Sequence, residues 1–197
     1  MPAMPGPVAD EKSSLLAFLS QQRQNFRTVA FGLTDQQARL TPTASALSVG
    51  ALIKHVTACE AGWVGRIAAA PEYPASDSVP FEEAAAAYAE QYRMNEDETL
   101  EGLIAALDEQ ERTTESIILA ADLDAAVPVP RNAPWFPRDL EAWSVRWVLG
   151  HVLEELSRHA GHADIIRESI DGATWFELMA AIDGMEETPW LKPWQPA

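Results

Sequence analysis

WVLGHVLEELSRHAGHADIIRESIDG, residues 147–172, is the stretch that decides the fold. Ser144 just ahead of it is placed to cap a helix, and Gly172 to end one near Ile170. A core stripe runs Val145, Val148, Val152, Glu155, His159, His162 or Ala163, Ile166 and Ile170. The steps of three and four put these side chains on one helix face. Glu155 and His159 interrupt an otherwise apolar line. An ionised glutamate buried alone costs on the order of several kcal/mol, so it must be protonated, paired or bound to metal. His151, Glu155 and His159 are each four residues apart, a spacing that lets two side chains reach one ion.

Working outward, LSVGALIKHVTACEAGWV, residues 47–64, supplies a second helix, capped at Ser48 and stopped at Pro71. His55 sits beside Leu52 and Val56 at the edge of its apolar face, where it can serve as a third ligand. Two imidazoles and one carboxylate make a three-ligand site with open positions, the form of catalytic rather than structural metal sites. Competing readings are simpler. A histidine on a helix is more often an ordinary core or surface residue, and Glu155 could pair with Arg158 or Arg146. Cys59, one turn after His55, reads as a small core residue rather than a soft ligand. Glu60 and Glu154 read as solvated. Trp135, Phe136, Trp143 and Trp147 line a pocket or simply pack.

The remaining chain extends the helical pattern. Residues 9–31 read as a helix broken at Gly32, and Thr34 caps a short turn over 35–40. Residues 81–121 hold one long helix or two in series. Residues 122–142, with Pro128, Pro130, Pro134 and Pro137, read as an ordered loop or irregular extended segment. Thr174 caps a short helix to about Ile182, and the tail 185–197, with Trp190 and Trp194, is expected to fold back. No run suggests a sheet of any size. The expected architecture is one all-α domain over 1–197, four main antiparallel helices with small accessories.

Composition narrows the function. The net charge of −16 disfavours nucleic acid, whose phosphates an acidic surface repels. No apolar run approaches the ~20 residues that span a bilayer. The first residues lack a basic patch followed by an apolar stretch, so a cytoplasmic location is expected. The single cysteine allows no intrachain disulfide. Three of the four histidines fall within residues 151–162.

Segments 47–64 and 147–172 together resemble the DinB-like superfamily of four-helix-bundle metalloproteins. The likeness is greatest to the branch of mycothiol-dependent maleylpyruvate isomerases and mycothiol S-transferases. The resemblance implies a DinB-like four-helix bundle with short accessory helices and a Pro-rich loop. It implies metal ligands His55, Glu155 and His159, since His159-Ala160-Gly161-His162 matches the family's histidine-x-glycine turn. His151 and His162 then become second neighbours or alternative ligands, and Asp164 and Arg167 a structural pair. The implied metal is zinc, with nickel or iron as alternatives, and the cosubstrate is mycothiol or a similar thiol. The implied activity is a zinc-dependent thiol S-transferase or isomerase acting on a small electrophile. Two rival functions share the same triad: a non-haem iron oxygenase, and a non-enzymatic stress protein that binds metal or ligand. The expected partners are the thiol and the electrophile, with no nucleic acid and no membrane; a homodimer stays open.

Overall fold

Local capping sets most helix starts. In α1 (Glu11–Ala30) the Asp10 carboxylate accepts from the Ser13 amide. The short α2 (Asp35–Ala38) carries a reciprocal Thr34–Gln37 capping box. Ser48 caps α3 (Val49–Ala69), Thr99 caps α5 (Leu100–Ala120) and Ser144 caps α6 (Val145–Asp171). A second capping box, Thr174–Glu177, starts α7 (Trp175–Ile182). Each satisfies amides that the first turn leaves without partners. The two readings left open for 81–121 resolve into two helices, α4 (Phe81–Glu90) and α5, separated by turns. The computed structural model describes residues 4–131 and 133–196. Met1–Ala3, Asn132 and Ala197, which fall within the expected domain, Pro-rich loop and tail, lie outside the described residues.

The four long helices α1, α3, α5 and α6 pack around one apolar core that includes Leu19, Phe26, Leu52, Val56, Leu107, Ile118, Val152 and Leu156. Their directions follow from what touches what. Lys12 at the start of α1 donates to the Leu119 and Ala121 carbonyls at the end of α5, and Arg27 pairs with Asp108, so α1 and α5 are antiparallel. Arg146 pairs with Glu11, and Arg167 donates to the Val29 and Phe31 carbonyls, so α1 and α6 are parallel. Lys54 pairs with Glu98, and Thr114 donates to Glu60, so α3 and α5 also run parallel. The expected uniformly antiparallel arrangement is therefore corrected. Between α3 and α5 the chain returns to the starting end through residues 70–99, which carry α4. The segment 122–142 is likewise more regular than expected: β1 (Ala126–Pro128) pairs antiparallel with β2 (Ala142–Ser144).

The tail folds back through one tryptophan, not two. Trp194 lies against Phe31 with ring centroids 5.7 Å apart, and the Arg167 guanidinium sits 5.0 Å from its ring. Gly32 makes this seat available, since its φ is +73° and a Cβ there would lie 2.4 Å from Trp194. Trp190, by contrast, is 78 % exposed. Among the described residues no helix is long and apolar enough to cross a membrane.

Candidate metal centre

The expected ligands converge. One ligand atom from each of His55, Glu155 and His159 lies within 4.8 Å of the others, and this group could hold a metal ion. The His159 Nε2 atom is 3.6 Å from Glu155 Oε2, as an i, i+4 pair on α6 allows. His55 arrives from α3, its ring centroid 4.8 Å from that of His159. Tetrahedral ligand bonds of ~2.0–2.2 Å set donor atoms roughly 3.4 Å apart, so the widest pair must close by about 1.4 Å around an ion.

Hydrogen bonds orient both imidazoles. His55 Nδ1 is 3.3 Å from Gln91 Oε1; an amide oxygen only accepts, so Nδ1 carries the proton and Nε2 keeps its lone pair. The Tyr92 hydroxyl, 3.0 Å away, donates to that Nε2, and the Tyr92 ring stacks on His55 at 4.1 Å. Tyr88 and Tyr92 hydroxyls are 2.9 Å apart. His159 Nδ1 lies 3.3 Å from His162 Nδ1. If His159 donates in that pair, its Nε2 faces Glu155 as a free lone pair. Burial lowers the pKa of His55, and it lowers that of His159 to about 4, with the neighbouring His55, His162 and Arg158 adding to the shift. Both rings are thus neutral at neutral pH, the state a metal needs.

His151 and His162 fall outside the converging group. His162 is exposed and acts on the site through His159. His151 Nε2 is 3.9 Å from Glu155 Oε1, while its ring stacks 5.5 Å from Trp147. Cys59 is partly buried, and burial, reinforced by the charges of Glu155 and Glu60, pushes its thiol pKa up to about 12. It therefore stays protonated and is a poor nucleophile.

Three expectations about carboxylates need correction. Glu155 is not sealed in the apolar stripe; its side chain is 29 % exposed. The fully buried carboxylate is Glu60, expected to be solvated, which is 0 % exposed. It accepts from Arg23 Nε at 3.0 Å and also from Arg23 Nη2 and Thr114 Oγ1. Asp164 does not pair with Arg167. Arg167 makes a two-pronged pair with Asp171 at 2.9 and 3.0 Å and closes the end of α1, while Asp164 Oδ1 is buried without a partner. Burial, with Glu168 nearby, raises the Asp164 pKa to about 6. Gln91, Tyr88 and Tyr92 were missed altogether. The only local signal is the tyrosine pair four residues apart, and nothing in the sequence points that pair at His55.

Comparison with curated proteins finds no match. Among solved structures, one described as the conserved protein of locus from Enterococcus faecalis is similar at a TM-score of 0.58 and 15 % identity. The match covers 84 % of this chain and 100 % of that one, and it shows the fold alone. The profile of the mycothiol-S-transferases matches residues 14–172. That span runs from the first turns of α1 to the Gly172 stop of α6, taking in all three converging side chains, and the chain belongs to the mycothiol-S-transferase family.

Proposed function

We propose that His55, Glu155 and His159 bind one divalent metal, zinc by preference, and that the protein transfers a low-molecular-weight thiol of the mycothiol type to a small electrophile. The observation that carries this reading is the convergence of two neutral imidazoles and one partly exposed carboxylate from two packed helices. A bound ion would hold the thiol as its thiolate, because a coordinating thiol loses its proton. The chain's own residues prepare the site. Gln91 fixes the tautomer of His55, and His162 Nδ1 stands where, by accepting from His159 Nδ1, it would do the same for His159. The Tyr92 hydroxyl stands beside the nitrogen that would take the ion, where it can donate to a sulfur anion. Cys59 stays protonated and does not compete with the incoming thiol. In the transfer, a carbon–sulfur bond forms as the thiolate sulfur attacks the electrophilic carbon. The bond to the leaving group breaks, or an epoxide carbon–oxygen bond opens and its oxygen takes a proton. The thiol proton has already passed to solvent.

The test is consumption of mycothiol by zinc-loaded protein in the presence of an aryl halide or an epoxide. Loss of thiol should depend on the protein, stop on chelation and be absent in His159→Ala. Equal thiol loss in wild type and His159→Ala would overturn the assignment. Metal content by mass spectrometry on the purified protein separates zinc from iron.

A further inference from the structure

The metal centre is one end of a longer row of facing side chains. On α3, His55, Cys59 and Trp63 follow each other at four-residue steps, as do His159, Glu155, His151 and Trp147 on α6. Trp143 of β2 extends the second series by one more step. Side chains so spaced form a ladder along one helix face. The two ladders face each other with their helices antiparallel. His55 meets His159 at one end, and Trp63 meets His151 at 4.7 Å and Trp147 at 6.1 Å at the other.

Beyond His151 the lining is aromatic. Trp143 and Trp147 stack at 4.4 Å with planes 4° apart, and Trp147 stacks on His151 at 5.5 Å and 19°. Trp63 stands edge-on to this stack, and Phe136 closes on both Trp63 and Trp143. Trp135 continues the series from Phe136 to Phe81 at the start of α4. At the other end of α4, Tyr88 returns to His55 at 5.6 Å. No residue of α4 is buried, so this helix runs from the aromatic end of the row to the metal end without being locked into the core. Trp147 is 44 % exposed and Trp135 67 %. Among the described residues the one cation stacked on a ring is Arg167 on Trp194, away from this row.

We propose that the aromatic end of this row is the electrophile subsite and that it takes a flat, uncharged aromatic ring. Continuity with the metal centre identifies the occupant. His151 is a rung of the aromatic stack and also 3.9 Å from Glu155, and one helical turn between them is about 5–6 Å, the span of one substituted ring. A ring held there reaches the thiol position with its reactive carbon. Ring-on-ring contacts favour an aromatic ligand over a saturated one of the same size, because the quadrupoles of offset and edge-on rings add to area burial. Charge selects against an anionic ligand, since Glu154 and Glu155 border the stack and, among the described residues, no Lys or Arg is stacked on its rings. The inference rests on the proposed thiol transfer, but the ring contacts need neither metal nor thiol.

The experiment uses the full chain, chelator-treated and without thiol. Coumarin and octahydrocoumarin, alike in size and substituents, are titrated in parallel, with binding and tryptophan indole N–H resonances followed by NMR. Coumarin should bind at least about fivefold more tightly, and Trp147→Ala should weaken it by about the same factor. The indoles of Trp63, Trp143 and Trp147 should shift, and those of Trp190 and Trp194 should not. Equal binding of the two probes overturns the proposal, as do shifts confined to the tail tryptophans. So does methyl glucoside moving the indoles of Trp63, Trp143 and Trp147 while coumarin does not, since that would make the subsite one for the sugar of a thiol. Where Trp147→Ala loses its helical signal, Trp135→Ala replaces it, because Trp135 stands on an exposed loop; unchanged coumarin binding in that folded variant counts against the proposal. A chain that binds coumarin yet transfers no thiol would retain the ring site and lose the transferase reading, and the reverse result would do the opposite.

Discussion

Helix α3 contributes to two polar groupings within five residues, His55 and Glu60, and they are built on opposite principles. Glu60 is sealed from solvent, and Arg23 and Thr114 saturate its oxygens. Glu111 and Arg27 extend this network toward the surface. Around His55 the arrangement is left incomplete. Among the described residues Glu155 has imidazoles at 3.6 and 3.9 Å and no arginine pair, and two neutral rings, His55 and His159, converge on it. A buried charge with a complete set of partners holds helices in register, whereas unsaturated donors converging on a partly open space describe a binding site. Burial alone, which drew attention to Glu155 in the sequence, does not separate the two; the partner list does.

The largest effect expected from this contrast is in the sealed network. Glu60→Ala leaves Arg23 buried without its carboxylate and should cost about 3–5 kcal/mol in urea unfolding. The metal content of the fraction that remains folded should not change. A fall in metal content matching the stability loss would mean that the two groupings are one unit.

Metal removal probes the other side. Chelation should lower the melting temperature of the wild type, by about 2.7 kcal/mol of stabilisation if free metal stood at a hundred times its dissociation constant. In His159→Ala, metal content should fall to background and chelator should do nothing. His162→Ala should keep the metal with roughly tenfold weaker affinity, as expected for a group that orients a ligand. If both variants lose metal equally, His162 is itself a ligand.

Asp164 is a third case, a buried carboxyl oxygen with neither a sealed partner set nor a converging one. Its folded pKa of about 6 lies above the ordinary 3.8. Between these values the folded chain holds a proton that the unfolded chain has released. Its contribution to stability is therefore complete below about pH 3.8 and lost as pH rises through 6. Asp164→Asn should match the wild type near pH 4 and gain on it toward pH 7, by about 1 kcal/mol after allowance for solvent screening. Thermal melts across that range decide it; a constant difference at every pH would place the proton elsewhere.

The smallest effect concerns Tyr92. Tyr92→Phe keeps the ring that stacks on His55 and removes only the hydroxyl. Metal content and melting temperature should hold, while binding of a small thiol to the metal-loaded protein weakens about threefold to tenfold, the worth of one hydrogen bond. Unchanged thiol affinity would make Tyr92 a packing residue.

What the sequence determined by itself is what depends on near neighbours along the chain. The caps at Asp10, Thr34, Ser48, Thr99, Ser144 and Thr174 act within three residues, and so the helix starts at Thr34, Ser48, Ser144 and Thr174 are legible directly. The same holds for the Glu155–His159 step on α6, because i, i+4 geometry is a property of the helix alone. Tertiary structure decided the rest. Glu60 is buried because Arg23, thirty-seven residues earlier, meets it. Arg167 takes Asp171 and the end of α1 rather than Asp164 because α1 and α6 run parallel at that point. Gln91 and Tyr92 reach His55 only because residues 70–99 return the chain to the start of α3. Helical periodicity states which residues share a face; which of those faces meet, and which buried charges find partners, is set by contacts between segments distant in sequence, where local spacing carries no information.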